Sequence, residues 1–206
     1  MAETENEIEV KFLINDLTHM EIRIQALGGK LVQPRVLEIN QRFDTPDGGL
    51  SRDHRVLRLR RDQHVHLTYK GPAQMNRTVS VRQEIEVEVS NFEETQRLLE
   101  ALGYKPFMFY EKYRTTYSLG GVLVTLDELP YGHFSEIEGP NAKRLQETAE
   151  SIWLDWSLRS RESYSSLFER VKANCNWTMQ NLSFDEFAGK SVTSENLGLR
   201  FADHGN

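Results

Sequence analysis

The chain has 206 residues, 38% of them hydrophobic and 10% aromatic, which suits one compact domain with a packed core. A formal net charge of −6 argues against nucleic-acid or anionic-membrane binding as a whole-surface property, so an anion site must be a local concentration of Lys and Arg. The single cysteine, Cys175, rules out an internal disulfide, and no run nears the roughly 18 apolar residues of a membrane-spanning helix.

Met1 to Asn6 is acidic and lacks the basic and apolar regions of a signal peptide, so a cytoplasmic location is expected. Strict polar–apolar alternation then predicts strands at roughly 7–13, 38–44, 56–62, 64–70, 80–89, 111–119, 121–128 and 133–138. Between them, Leu17 to Leu27 has helical spacing at Leu17, Met20, Ile24 and Leu27 and ends at Gly28-Gly29. Phe92 to Leu102 repeats that form with Phe92, Leu98, Leu99 and Leu102 and ends at Gly103, and a glycine just past the last apolar position is a helix stop. Further helices are expected over 141–156 and 161–175. A single domain over 1–175 is therefore expected, with an extension at 176–206 that is partly helical and frayed after Gly189.

Two halves look alike. Ile8-Glu9-Val10-Lys11 leads to a helix, Leu27-Gly28, a strand and Pro34; Ile85-Glu86-Val87-Glu88 leads to a helix, Leu102-Gly103, Tyr104 and Pro106. Two related strand–helix–strand units suit a sheet that closes on itself about a pseudo-two-fold axis.

The side of each strand that carries charge is the informative feature, because residues two apart share a face. Glu7, Glu9 and Lys11 lie opposite Ile8, Val10 and Phe12. Arg58 pairs with Arg60, His64 with His66, Thr68 and Lys70, and Arg82 with Glu84, Glu86 and Glu88. Lys112 shares a face with Arg114, Thr125 with Asp127, and Glu136 with Glu138. The plain reading is a sheet with its polar face in water. The other reading follows if helices cover the apolar faces and the sheet curls, which turns acids and bases toward one another inside a barrel of about eight strands. Buried unpaired ions lose several kcal/mol of hydration each, by about the usual reckoning. A ligand of both signs would compensate, with a divalent cation for the carboxylates and a polyphosphate for the Lys and Arg.

These strands resemble the CYTH family of triphosphate tunnel metalloenzymes over about residues 5 to 170. Its E-x-E-x-K motif is present as Glu7-Ile8-Glu9-Val10-Lys11. Supporting it are Phe43-Asp44-Thr45-Pro46, Leu57-Arg58-Leu59-Arg60, Leu67-Thr68-Tyr69-Lys70-Gly71-Pro72, Arg82-Gln83-Glu84-Ile85-Glu86, Glu111-Lys112-Tyr113-Arg114, Asp127-Glu128 and Glu136-Ile137-Glu138. Arg161 to Phe168, with Ser163-Tyr164, is similar to the family's closing helix. The Lys-Gly-Pro step and the Leu-Gly-Tyr…Glu-Lys-x-Arg stretch look most like the class IV adenylyl cyclase branch.

The resemblance implies an α+β fold built on an eight-stranded antiparallel closed barrel with amphipathic helices outside. It implies Mg²⁺ or Mn²⁺ held by Glu7, Glu9, Glu136 and Glu138, with Glu84, Glu86 and Asp127 as supporting groups or a second metal site. The triphosphate would be gripped by Lys11, Arg58, Arg60, Lys70, Arg82, Lys112 and Arg114, of which Lys11, Lys70 and Arg114 would act in catalysis. His64 and His66 fall outside the pattern and stand as a metal pair or as polar filling. The segment from Gly71 to Val81, with Arg77, stands as a lid or a surface loop.

Phosphoryl transfer is mostly positioning and charge neutralisation, and no Ser-His-Asp or Cys-His arrangement competes with it. Three functions remain open. One is cyclisation of ATP to cyclic AMP and pyrophosphate. Another is hydrolysis of inorganic triphosphate, a nucleoside triphosphate or thiamine triphosphate. The last is a non-catalytic polyphosphate- or nucleotide-binding module. No nucleic-acid or membrane partner is expected, and a homodimer is left open.

Overall fold

The computed structural model describes residues 6–72, 74–75 and 79–203; Arg77 and the first five residues lie outside them. Eight long strands form one antiparallel sheet in the order β1 (Asn6–Ile14), β9 (Gly132–Glu138), β8 (Val122–Leu129), β7 (Lys105–Leu119), β2 (Lys30–Asp44), β3 (Val56–Arg61), β4 (Val65–Lys70), β6 (Ser80–Glu88). The sheet closes because β6 also pairs with β1, with Glu7 opposite Arg82 and Glu9 opposite Ser80. A two-residue strand β5 (Gln74–Met75) lies on the flank of β6. The sequence halves are visible in this order: β1 pairs with β6 and β2 pairs with β7, both antiparallel, so corresponding strands of the two halves meet at both seams.

The helices lie where the turn signals put them. α1 (Leu17–Ala26) starts at Asp16, whose carboxylate accepts from His19 N, and stops before Gly28 at φ 84°. α3 (Phe92–Ala101) starts at Asn91 and stops before Gly103 at φ 95°. A four-residue α2 (Gly49–Arg52) sits between β2 and β3. The alternation understated β2 and β7. Each is 15 residues long, and they pair through register shifts between Leu31 and Gln33, Gln33 and Val36, and Arg42 and Phe43. Bulges break the two-residue period and absorb Pro34 and Pro106, which hides these ends in the sequence.

Two further helices are shorter than their apolar spacing suggests. α4 (Ala142–Ser151) ends where Trp153 turns to φ 64°, because the next residue, Leu154, pairs with Asp203; a 3₁₀ turn at Trp156–Leu158 follows. α5 (Tyr164–Cys175) starts later than residue 161 because the Ser163 hydroxyl accepts from Ser166 N and sets the first turn.

Three apolar clusters hold the barrel. Met20, Ile24, Leu145 and Ala149 from α1 and α4 cover the outer faces of Val10, Phe12, Val122, Val124 and Ile137. Phe92 and Leu99 of α3 cover Phe43 and Leu59, while Leu98 and Leu102 face outward. The remaining cluster lies on the inner row. Leu13, Leu129 and Phe134, each two residues from Lys11, Asp127 and Glu136, join Met108 and Tyr110 against Tyr164, Leu167 and Phe168 of α5. Helix α5 thus caps one end of the barrel.

The described part of the tail is packed against the barrel beyond Gly189. Leu182, Phe187 and Leu197 are buried in the capping cluster, Leu197 within a short α6 (Ser194–Leu197). Ala202 N donates to Leu13 O at 2.9 Å, and the Asp203 carboxylate accepts from the backbone of Asn15 and Asp16 at 2.8–2.9 Å. Its apolar residues dock one at a time without a helical period, so its polar composition read as solvent-exposed.

Candidate functional site

The charged rows face the interior, where water is scarce. Lys11, Glu38, Lys112, Asp127 and Glu136 are all buried, with Asp127 at 0% exposure. The plain alternative of a sheet with a solvated polar face is therefore not what the chain builds.

Three groups of contacts divide the interior. At its centre Asp127 accepts from Arg114 twice at 2.6 Å, from Lys112 at 3.1 Å and from the Tyr164 hydroxyl at 2.7 Å. Lys112 also lies 3.6 Å from Glu38, and Arg114 lies 3.5 Å from Glu136. The rings help as well: the ammonium groups of Lys112 and Lys11 sit 5.0 and 5.4 Å from the Tyr164 ring centroid. Asp127 was expected as a supporting group or in a second metal site; here four donors from two cations and a phenol occupy it, and it holds those cations in place.

Along β1, β9 and β6 the carboxylates gather. Glu9 lies opposite Glu138 and Lys11 opposite Glu136. Lys11 reaches Glu9 at 2.5 Å and Glu136 at 3.2 Å, and Lys70 reaches Glu7 at 2.6 Å and Glu84 at 3.2 Å. Among the described residues no three carboxylates converge as ready-made metal ligands, because Lys11 and Lys70 hold three of the four proposed ones. The carboxylates still crowd one another. Burial, then Glu136, pushes the Glu9 carboxyl up to about 7. Burial, then Glu7, Glu136 and Glu9, does the same to Glu138. Glu136 goes the other way: burial is outweighed by Lys11, Arg114 and Lys112, which hold it well below the usual carboxylate range. Crowded oxygen donors that resist ionisation fit a hard divalent cation, which would replace the lysines as their counter-charge.

The guanidinium groups occupy β2, β3 and β6. Arg58 donates to the Tyr110 hydroxyl at 3.3 Å and Thr68 at 3.4 Å, and Arg60 pairs with Glu86 at 3.1 Å. Arg82 donates to the carbonyls of Gly71 and His54 at 2.8–3.0 Å. Buried Nε atoms of Arg42, Arg58 and Arg60 have no hydrogen-bond partner, which is costly without an anion to receive them. His64 meets Glu88 at 3.2 Å and His66 lies opposite Arg60 and Glu88; among the described residues neither joins a group of three metal-ligating side chains.

Alternation on β2 could have revealed Glu38, Asn40 and Arg42, which share a face; Gln41 on the opposite face blurred it. Tyr164 was legible only as part of the closing helix. Two surface cavities of about 510 and 600 Å³ lie outside the barrel, around Glu128 and His133 and around Ile22 and Trp153. No helix among the described residues is long and apolar enough to cross a membrane.

The CYTH domain family matches residues 5–170. A provisionally named adenylate cyclase from Methanocaldococcus jannaschii is 29% identical over 138 residues, which is 64% of this chain and 75% of that protein. Among solved structures, a provisionally named adenylate cyclase from Vibrio parahaemolyticus superposes with a TM-score of 0.73 at 21% identity, covering 81% of this chain and 99% of its own. A protein from Hippeastrum, described as a provisional adenylyl cyclase with a dominant triphosphatase activity, superposes with a TM-score of 0.59 at 18% identity, covering 84% and 97%.

Proposed function

We propose a function from one premise: the chain belongs to the CYTH family, whose domain spans residues 5–170 of its 206. It is an enzyme of the triphosphate tunnel type, a class that depends on a divalent metal. The reading advanced here is that it cyclises ATP to cyclic AMP and pyrophosphate, with Mg²⁺ or Mn²⁺. The observation that carries the triphosphate is the inner wall, where Lys112 and Arg114 close on Asp127, Lys11 lies between Glu9 and Glu136, and Arg58 and Arg60 keep Nε atoms without hydrogen-bond partners. The likeness to the M. jannaschii protein supports the cyclase.

In this reading Lys11, Arg58, Arg60, Lys70, Arg82, Lys112 and Arg114 grip the phosphate oxygens, and Lys11, Lys70 and Arg114 neutralise the charge that builds as the bond breaks. The ribose 3′-hydroxyl gives up its proton to solvent as its oxygen bonds to the α-phosphorus, the α-phosphorus–bridging-oxygen bond breaks, and pyrophosphate leaves. Glu7, Glu9, Glu136 and Glu138 would hold the cation, which would polarise phosphoryl oxygens and neutralise their charge. Glu84 and Glu86 steer Lys70, Arg58 and Arg60, and Asp127 steers Lys112 and Arg114.

One observation favours the second reading, a triphosphatase. The inner residues Leu13, Met108 and Phe134 are packed beneath α5, so the free wall is mostly charged, and Val36 beside Arg114 and Leu123 beside Glu138 offer little apolar surface to a nucleobase. Incubation with ATP, inorganic triphosphate or thiamine triphosphate, each with Mg²⁺ or Mn²⁺, separates the readings. Cyclic AMP and pyrophosphate from ATP identify the cyclase; orthophosphate without cyclic AMP, together with the matching diphosphate (ADP, pyrophosphate or thiamine diphosphate), identifies the triphosphatase; and no product from any of them leaves only a binding module.

A further inference from the structure

Like Arg82 and unlike Arg58, Arg60 and Arg114, Arg42 has no ion pair among the described residues, but Arg82 donates through Nε to a backbone carbonyl whereas the Arg42 Nε is buried with no hydrogen-bond partner. It shares the inner face of β2 with the buried Glu38 and Asn40, yet among the described residues no carboxylate lies within 4 Å of it. The nearest acid in sequence, Asp44, is occupied by the backbone of Thr45, Leu50 and Ser51 and by the Ser51 hydroxyl. Directly across the ladder from Arg42 is Arg58, a like charge, which is an unfavourable cross-strand pair. One NH₂ group donates to the Ser165 hydroxyl at 3.0 Å, the guanidinium lies 5.0 Å from the Phe107 ring centroid, and Nε is buried without a partner. Burial, then Arg82 and Arg58, lowers its hold on the proton. A β-bulge between Arg42 and Phe43 aims this stretch, as bulges often do beside active sites.

A cation kept in such a place destabilises the empty protein, and the compensation must come from an anion that arrives later. Arg42 sits about 13 Å along β2 from Glu38, the partner of Lys112, at 3.3 Å per residue. It therefore grips at a different height from Lys112 and Arg114.

We propose that Arg42 is a substrate-binding residue that takes the outermost phosphoryl group of the triphosphate with its free Nε–H edge, beside Arg58. This rests on the reading of the barrel as a triphosphate site. A three-phosphate chain held at Lys112 and Arg114 extends one phosphoryl group further toward Arg42 than a two-phosphate chain held there.

The test is calorimetric binding of inorganic triphosphate and of pyrophosphate, with Mg²⁺, to wild type, Arg42→Gln and Arg42→Lys, together with thermal unfolding of each protein without ligand. Arg42→Gln keeps a donor for Ser165 and should weaken triphosphate about tenfold while changing pyrophosphate less than about threefold. Arg42→Lys, charged but without the planar fork, should fall between. The ligand-free Gln variant should unfold at or above the wild-type temperature. Unchanged triphosphate affinity in Arg42→Gln overturns the proposal, and so does an equal loss for both anions, which with a lower unfolding temperature marks a structural residue. A wild type that binds neither anion defeats the triphosphate reading itself and this inference with it.

Discussion

Tyr164, the first residue of α5, donates a 2.7 Å hydrogen bond to Asp127, and so ties the helix that caps the barrel to the carboxylate that gathers Arg114 and Lys112. Burial and the nearby Asp127 and Glu136 raise the Tyr164 hydroxyl well above its ordinary range, so it stays a neutral donor. Tyr164→Phe keeps the ring beneath both lysines and removes only this bond. It should cost about 1.5–3 kcal/mol of stability, the usual worth of a hydrogen bond to a charged group, and lower kcat/KM for the triphosphate substrate. Urea unfolding and steady-state kinetics check both.

Asp127→Asn should be far more damaging. It leaves Arg114 and Lys112 buried with a neutral partner, and breaking a buried pair from one side costs about 3–5 kcal/mol. Conversely, Arg35→Ala should cost about 1 kcal/mol or less, because its pair with Glu128 is half exposed. Denaturation midpoints of the two variants give the comparison.

The two raised carboxylates predict how pH acts. Glu9 and Glu138 titrate near 7 in the folded protein and near 4.5 when unfolded, so the folded state binds more protons between those values. Their contribution to stability is full below about 4.5 and is lost as pH rises through 7. Because a metal needs the ionised forms, its apparent affinity should rise over the same interval. Metal-free unfolding temperatures at pH 5.5 and 7.5, and Mn²⁺ affinity at the same two values, test the two signs together.

A chain stopped after Gly189 should lose about 3 kcal/mol or more, since it gives up the burial of Leu197 and Ala202 and the bonds of Asp203 to Asn15 and Asp16. Thermal unfolding of the shortened chain measures it.

Much of this was legible in the sequence because strands have a fixed two-residue period. Glu7, Glu9 and Lys11 fall on one face by that period alone, and Gly28 and Gly103 end α1 and α3 where a left-handed residue is needed. What stayed hidden depends on chain parts that have no period. The bulges at Pro34 and beside Arg42 lengthened β2 beyond its alternating part, and the tail packs through single residues such as Leu182. Pairing was hidden too: nothing in the sequence shows that Lys11 and Lys70 close on Glu9 and Glu7.

The central claim is that these carboxylates serve a cation and the buried cations serve a triphosphate. Turnover of ATP and of inorganic triphosphate, measured across Mg²⁺ and Mn²⁺ concentrations for wild type, Glu7→Gln and Glu9→Gln, tests it most directly. The account predicts no turnover in chelator, recovery with added metal, and a metal requirement shifted upward by about tenfold or more in both variants. Turnover that survives chelation, or variants whose metal dependence matches wild type, would contradict it.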